Sequence, residues 1–452
     1  MSEWKKVKIG DFLTERTGRY KPDDKIISQY QRLDKIDFSG NIHISDKPSK
    51  TDMILVQPGD LVISGINVAK GAVAVYQGAE PVCATIHYSS YIFDDKKIDL
   101  EYFKYFVKSP AFLDVLKQQV KGGIKTEIKP KHLLPLEISI PDLSTQKAIV
   151  ENLSHQLKKS ENLQQEIEQQ KSYTKQLRQN ILQDAIEGRL TEEWRKNNPV
   201  VKGNPDFDAE ALFEKIQEEK SHTDSILLTQ NQEKKKKGKS LDFPNPCGNT
   251  EKPFVIPEGW KWVRLGEISE SCLGKMLDGI KNQGKMRKYL RNLNVRWFCF
   301  DLSDLLEMKI KDEELEKFSA RKGDLLICEG GYPGRSAIWN EDYDICFQKA
   351  VHRVRFFNTP YMPRLLNLYL FLLSENGKIE KYLTGEGIRH LTGVKLKQIL
   401  FPLPPLAEQE EIVRVVEAQL AKVDQLEKQI TERETLTKQL MQSILKDAFG
   451  EE

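Results

Sequence analysis

The sequence predicts an α+β protein with two globular domains of mixed α and β structure, each followed by a long helix. This prediction rests on a segment that occurs twice and on the helical periodicity within it. The string IPDLSTQKAIVENLSHQL from Ile140 recurs as LPPLAEQEEIVRVVEAQL from Leu403, 263 residues later. The same spacing holds as far as the KQLxQxILxDA string that closes both copies. A constant spacing of this size indicates a duplicated half-molecule and not a solenoid.

The repeated segment is predicted to be helical in both copies. Apolar residues such as Ile149, Leu153 and Leu157 recur at helical spacing between positions rich in Gln, Glu and Lys. The 42 residues from Gln146 to Glu187 would form a helix of about 63 Å. A stripe this narrow suits a helix that packs mainly on one partner helix. We therefore expect the two helices to pair with each other in antiparallel fashion. A helix that only caps its own domain is the alternative interpretation, and the length of the helix argues against it.

The globular parts repeat more loosely than the helices. Gly59-Asp60 matches Gly323-Asp324, Cys83 matches Cys346, and Gly123-Ile124 matches Gly387-Ile388. Strings such as DLVIS and AVAVY predict strands, and the segments 100–120 and 363–383 predict helices. Shared helices with diverged domains suggest one docking platform that carries two recognition surfaces. The predicted segments are a first domain (1–143), a helix (144–189), a linker with a short helix and a Lys-rich loop (190–253), a second domain (254–406) and a helix (407–450).

Composition narrows the classes of function. The 452 residues have a mean hydropathy of −0.53, and no apolar stretch is long enough to span a bilayer, so we expect a soluble protein. The six cysteines form no C-x-x-C pair, which favours reduced thiols in a cytosol. The sequence contains no phosphate-binding loop and no histidine or cysteine cluster with metal-ligand spacing. A chain that binds a partner and catalyses nothing alone is the simplest interpretation. A nuclease with diverged motifs and a purely structural scaffold are the alternatives.

A basic segment of the second domain is the strongest candidate for binding nucleic acid. From Gly279 to Phe300 the chain contains no acidic residue, and Tyr289 and Trp297 are interleaved with its cations. Lys and Arg neutralise phosphates, and Arg can hold guanine through two hydrogen bonds. A basic edge strand and turn is the competing interpretation. The candidate residues here are Lys281, Lys285, Arg287, Arg291 and Arg296.

Further candidates are a weaker basic cluster in the first domain and several basic loops flanked by glycine. Glycine allows a backbone to approach a phosphate closely, although glycine turns are common everywhere. The first-domain cluster consists of Arg19, Tyr20, Arg32 and Lys35. The loops contribute Lys70, Lys125, Arg335, Arg389 and His390.

Three strings of the sequence resemble the specificity subunit of Type I restriction-modification enzymes. They are LPPLAEQ from Leu403, its drifted copy IPDLSTQ from Ile140, and GRLTEEWR from Gly188, and the resemblance covers nearly the whole chain. It implies a subunit that binds double-stranded DNA at a split, asymmetric target, with one half read by each target-recognition domain. The two helices would form an antiparallel coiled coil that docks two modification subunits and, with them, restriction subunits.

The resemblance also implies where the chemistry of such a complex lies. The modification subunits would use S-adenosylmethionine to methylate adenine, and the restriction subunits would use ATP and Mg²⁺ to translocate and cut DNA. The present chain would then be non-catalytic, with no cofactor or metal of its own and no membrane partner, in the cytoplasm of a prokaryote.

Overall fold

The computed structural model describes residues 4–38, 40–47, 49–119, 127–230, 252–357 and 359–449, apart from the side chains at 69 and 224–230. The chain folds as two compact units. The first contains Met1–Lys171 together with Gln429–Glu452, and the second contains Ser172–Lys428. Each unit therefore holds one globular domain and a part of each of two long helices. The lysine run of the linker, at 234–239, lies outside the described residues.

The first domain contains two four-stranded sheets and a separate two-stranded pair. Its strands are β1 (Lys5–Lys8), β2 (Leu13–Glu15), β3 (Arg32–Ile36), β4 (Ile42–Ser45), β5 (Met53–Val56), β6 (Leu61–Ser64), β7 (Val73–Val75), β8 (Val82–Thr85), β9 (Tyr88–Phe93) and β10 (Glu137–Ile140). Its helices are α1 (Leu100–Lys108), α2 (Pro110–Gln119) and α3 (Pro130–Leu133). The strand orders are β4-β3-β8-β5, β2-β9-β6-β7 and β1-β10.

The second domain repeats this topology strand for strand. Its strands are β11 (Lys261–Arg264), β12 (Ser269–Leu273), β13 (Lys285–Leu290), β14 (Leu306–Ile310), β15 (Ser319–Ala320), β16 (Leu325–Cys328), β17 (Ser336–Ile338), β18 (Ile345–Phe347), β19 (Val351–Phe356) and β20 (Leu400–Leu403). The orders are β14-β13-β18-β15, β12-β19-β16-β17 and β11-β20. The sheet β4-β3-β8-β5 contains one parallel pair, β3–β8, and its counterpart β14-β13-β18-β15 contains the equivalent pair, β13–β18. The predicted α+β duplication is thus confirmed.

The other α-helices of the described residues lie between the domains, within the second domain and after it. Between the domains lie α4 (Leu143–Ile186), α5 (Glu192–Asn197) and α6 (Ala209–Gln230), and after β11 come α7 (Leu265–Ile268), α8 (Leu315–Phe318), α9 (Met362–Glu375), α10 (Gly393–Lys397) and α11 (Leu406–Phe449). Segment 100–120 was predicted as one helix, but it forms α1 and α2 because Ser109, in an extended conformation, separates them before Pro110. Segment 363–383 likewise changes course at Gly377, whose φ of 70° stops α9.

The long helices α4 and α11 each contain 44 residues and pack against each other in antiparallel fashion. In the first unit, Lys171 Nζ lies 2.9 Å from Glu434 Oε2, and Gln164 Nε2 lies 3.1 Å from Met441 Sδ. As numbers rise along α4, they fall along α11, which fixes the antiparallel sense. In the second unit, Arg178 of α4 pairs with Glu427 of α11 at 3.0 Å. The predicted coiled coil is confirmed.

The end of each long helix packs into the core of a domain. In the first unit, the Phe449 ring meets Tyr102 and Phe106 of α1 edge to face, at centroid distances of 5.1 and 5.7 Å. In the second unit, Leu182 and Ile186 of α4 join the apolar core that surrounds α9. Phe449 and Ile186 are 263 residues apart, so the duplicated helices make equivalent contacts. Leu182 and its counterpart Leu445, which both belong to the closing KQLxQxILxDA string, are also buried in the two cores.

A buried glutamine explains the string that opens both helices. Gln146 donates from Nε2 to the carbonyl of Pro141 at 2.8 Å, and Gln409 donates to the carbonyl of Pro404 at 2.9 Å. Both side chains are buried. Each bond satisfies a backbone carbonyl just before the helix, which burial would otherwise leave without a partner. The glutamine, and the proline whose carbonyl it binds, therefore have the same structural role in the two copies.

The GRLTEEWR string and the second helix start meet around one buried carboxylate. Glu408 accepts hydrogen bonds from Thr191 Oγ1 at 2.6 Å and from Arg195 Nη1 on one oxygen. Its other oxygen accepts from Trp260 Nε1 at 2.7 Å. A buried carboxylate is tolerated only with such partners. The network joins the segment after α4 to the start of the second domain and to α11, all within the second unit.

No helix among the described residues combines the length and the apolar character needed to cross a membrane.

Candidate nucleic-acid interface

The basic segment of the second domain contains no acidic residue of its own, but the fold brings aspartates from other segments against its cations. The strand pairing β13–β14 places Asp312 beside it, where the carboxylate contacts Lys285 at 2.9 Å and also Arg287. In the sequence, Asp312 is 27 residues from Lys285 and 25 residues from Arg287. These two ion pairs lower the pKa of Asp312. The cations are therefore partly neutralised by the fold, which sequence spacing could not show.

The two arginines that follow β13 also meet aspartates. Arg291 donates from Nη2 to the Asp304 carboxylate and to its backbone carbonyl, each at 2.7 Å, and is largely covered. Arg296 lies 3.8 Å from Asp301 and is about half exposed. Lys281 and Lys285 reach furthest into solvent, with 85% and 73% of their side chains exposed. Because phosphate contacts need an accessible cation, these lysines and Arg296 are better placed than Arg287 or Arg291.

Arg335 supports the loop that carries it and contacts solvent little. It is buried and donates from Nη2 to the carbonyl of Asn292 at 2.8 Å, and its guanidinium stacks 4.2 Å from the Tyr332 ring. Asn292 in turn donates from Nδ2 to the carbonyl of Gly330 at 3.1 Å. These bonds fix the 330–335 loop against the turn that follows β13. Tyr332, which sequence reasoning did not select, is an exposed aromatic residue of this loop.

Arg389 and His390 belong to a projecting loop, residues 384–390. Thr384 and His390 close it through two backbone hydrogen bonds of 2.9 Å. A Cβ placed on Gly330 would lie 3.0 Å from the His390 ring, so the 330–335 loop passes directly beside it. Arg389 is exposed and lies 3.7 Å from Glu380. The structure thus places the loop of Arg389 and His390 beside the loop of Arg335, which in turn binds the turn that follows Arg291. Arg335 and Arg291 occupy supporting positions.

The first-domain candidates do not gather in the same way. Arg19 is exposed beside a cavity of about 550 Å³ that Arg16, His87, Lys129 and Lys131 also line. Arg32 lines a different cavity, of about 410 Å³, and pairs with Asp34.

The remaining first-domain candidates are placed differently again. Tyr20 is half-buried and pairs through its backbone with Met53, a residue of the Arg32 cavity. Lys35 is exposed on β3, the strand that also carries Arg32. Lys70 lies 5.5 Å over the ring of Phe38, beside a groove against α4. Lys125 lies outside the described residues. A DNA contact by any of these residues stays a prediction.

A buried aspartate organises the sheet behind each surface. Asp60 receives two hydrogen bonds from Arg16, at 2.6 and 2.7 Å, and Asp324 receives two from Arg355, at 2.7 and 2.9 Å. Both aspartates are buried, and they are the repeated residue of the Gly-Asp string. The guanidinium comes from beside β2 in one domain and from β19 in the other. Both domains therefore share this buried ion pair and the strand order around it, a common frame, while their surface side chains differ.

The buried titratable groups of the second domain act as structural groups. Burial raises the pKa of Cys328 and of Cys346 to about 11, so both thiols stay protonated. Burial lowers the pKa of His352, and its neutral ring donates from Nε2 to the carbonyl of Leu391 at 2.9 Å. Within the described parts of the chain, His, Cys, Asp and Glu side chains form no cluster of three or more that could hold a metal ion.

Comparisons with known proteins agree with this architecture. The family model for the Type I restriction modification DNA specificity domain matches residues 1–170 and 257–434. The Type I restriction enzyme EcoKI specificity subunit of Escherichia coli (strain K12) is 24% identical over 403 residues, which cover 87% of this chain and 75% of that protein. The StySPI specificity subunit of Salmonella potsdam is 25% identical over 411 residues, with 87% and 74% covered.

A solved structure shares the fold. It comes from work on complex assembly and conformational transition of the type I R-M system. It aligns with a TM-score of 0.65 and 17% identity over 99% of this chain and 97% of that one. The family match spans both domains and the larger part of both long helices. The chain therefore belongs to the Type I restriction modification DNA specificity family.

Proposed function

We propose that this chain is the DNA specificity subunit of a Type I restriction-modification complex and that it reads a bipartite, asymmetric target. The observation that carries the proposal is one frame used twice with two different surfaces. Strand order, the buried aspartate and the helix-opening glutamine are the same in both halves. The loops and cations that face solvent differ. Two different surfaces on the same frame suit the reading of two different half-sites.

Repeated apolar residues on the long helices support two docking positions for modification subunits. Tyr173 of α4 and Leu436 of α11 are 64% and 62% exposed, and they are 263 residues apart. One turn further on, Leu177 and Leu440 form a second exposed pair at the same spacing. Exposed apolar side chains that recur in a duplicated chain suit two copies of one partner. Restriction subunits would join the complex that these partners form.

The chemistry of the complex is assigned to the partner subunits in this proposal. S-adenosylmethionine would bind the modification subunits, and ATP and Mg²⁺ would serve the restriction subunits. The present chain would supply recognition and positioning alone. Its accessible cations, Lys281 and Lys285 foremost, would contact phosphates, and the loops around Tyr332 would contact base edges.

A binding titration of the purified full chain tests the proposal. We expect tighter binding to a duplex with the motif methylated in the host than to a scrambled duplex, at matched salt. Lys281→Ala with Lys285→Ala should weaken both complexes alike and reduce the slope of log affinity against log salt by about one per lysine that contacts a phosphate. Lys158→Ala with Lys159→Ala, on the exposed face of α4, is the matched control. Equal affinity of the wild type for both duplexes would contradict the proposal.

A further inference from the structure

The loop of residues 384–390 is held firmly at its base. Besides the two backbone bonds between Thr384 and His390, Leu391 donates to the carbonyl of Glu329 at 2.8 Å. The carbonyl of Leu391 accepts from the buried His352 ring at 2.9 Å. Leu391 itself is fully buried. The loop therefore projects from an anchored base.

The tip of this loop carries a large apolar side chain into solvent. Ile388 is 73% exposed, between Gly387 at a φ of 83° and the exposed Arg389. Gly385, at a φ of 103°, allows the carbonyl of Ile388 to lie 2.5 Å from where a Cβ would stand. A bend this tight requires glycine. An isoleucine at the tip of an anchored loop contributes little to folding, so its chemistry points to a partner.

The sequence of the tip recurs in the other half of the chain. Gly387-Ile388-Arg389 corresponds to Gly123-Ile124-Lys125, 264 residues earlier, where the pattern of glycine, isoleucine and a cation is the same. The loops of the two halves differ elsewhere. An element common to both halves cannot distinguish two different half-sites. Such an element suits a DNA contact that does not depend on the base sequence. The earlier copy lies outside the described residues, so the inference concerns the second domain alone.

We propose that Ile388 is a wedge that enters between adjacent base pairs of the bound duplex and partly unstacks them. This inference rests on the proposed function and deepens it. Proteins that bend DNA insert isoleucine, leucine or phenylalanine between base steps, and neighbouring cations hold the backbone. Arg389 next to the tip supplies such a cation, and the anchored base resists the force of insertion. Unstacking would loosen the duplex where a base must become accessible.

The fluorescence of 2-aminopurine, which rises when the base is unstacked, tests the wedge. The base analogue is placed in turn at each position of the second half-site, and each duplex is saturated with the full chain. With the wild type we expect a severalfold rise at one step. Ile388→Ala should abolish that rise and weaken binding by roughly fiftyfold, since it withdraws three apolar carbon atoms from contact. Ile388→Leu should restore the rise.

The matched control is Val255→Ala, which removes an aliphatic side chain that is 92% exposed in the same unit. It should leave both fluorescence and affinity unchanged. An equal rise with Ile388→Ala, or no rise at any position with the wild type, overturns the wedge. If Ile388→Ala keeps the normal fluorescence rise but loses binding of modification subunits, the tip contacts a protein, and the wedge is overturned. A wild type without preference for the motif overturns the proposed function itself, which is a distinct result.

Discussion

The indole N–H of Trp260 donates a 2.7 Å hydrogen bond to Oε2 of Glu408, a residue from the opening of the second helix. The other oxygen of that carboxylate holds Thr191 and Arg195, from the segment that follows the first helix. One buried carboxylate thus ties together three parts of the chain that are far apart in sequence. Its repeat equivalent in the first half is Thr145, a half-buried residue without a carboxylate, so this network has no counterpart at that position of the first unit.

Removal of this carboxylate should destabilise the second unit. Glu408→Ala leaves the buried Trp260 N–H without an acceptor and removes the carboxylate that pairs with the Arg195 guanidinium. Loss of one member of a buried pair costs about 3–5 kcal/mol. Urea unfolding measures the change. Glu432→Ala, at an exposed position of the same helix, should change the free energy of unfolding by less than about 0.5 kcal/mol. Equal stability of the two variants would show that the network contributes nothing.

The start of α4 should depend on pH in a way that the start of α11 does not. Asp142 stands just before α4 and accepts from the Ser144 hydroxyl and from the Thr145 amide and hydroxyl, which lowers its pKa to about 2. Because the pKa is lowered, the charged cap stabilises the helix fully at pH values above the ordinary pKa of an aspartate. This stabilisation is lost as the pH falls through about 2. Pro405, which has no such group, occupies the equivalent position.

Hydrogen exchange in the first turn of α4 checks this expectation. At pH 6, Asp142→Ala should speed exchange of the Ser144 and Thr145 amides, both of which donate to Asp142. The difference from wild type should shrink as pH approaches 2. Asp95→Ala, at an exposed turn, should leave these amides unchanged. A difference that is constant from pH 6 to pH 2 would argue against a charged cap.

The exposed apolar pairs should each hold one modification subunit. Leu436→Ser with Leu440→Ser should reduce the number of bound subunits from two to one in native mass spectrometry. Tyr173→Ser with Leu177→Ser should do the same, and the combined variant should bind none. All four side chains are exposed, so the coiled coil should remain intact. Leu306→Ser, an exposed leucine of β14, is the control. Two subunits on either double variant would place the docking site elsewhere.

Exchange of one domain should change one half of the target. A junction at Ile140 transfers β1 and β10 together, so their antiparallel pairing from Lys5–Ile140 to Lys8–Glu137 stays within the incoming domain. The helix-opening Gln146 and its proline remain with the host chain. We expect a chimera with residues 1–140 from a relative to keep the second half-site and acquire a new first one. A chimera with an unrelated continuous target would contradict separate reading by the two domains.

The sequence predicted the frame better than the surface, and the reason is physical. Helical periodicity and the repeat of Gln146 at Gln409 are local signals, so both long helices and their pairing followed from them. The ion pairs of Arg287 with Asp312 and Arg291 with Asp304 depend on strand pairing and loop return, which spacing does not reveal. Exposure also depends on the whole fold, so the repeat pointed to Ile388 but not to its exposure at the tip of a loop.

Adenine methylation mapped across the host genome, with and without this gene, tests the central claim most directly. We expect a motif of two short half-sites separated by unread bases, methylated in the wild-type strain and unmethylated after deletion. Reintroduction of the gene with residues 1–140 exchanged should alter one half-site and keep the other. A continuous motif, or a split motif that survives deletion of the gene, would contradict the claim that this chain reads two half-sites with two domains on one duplicated frame.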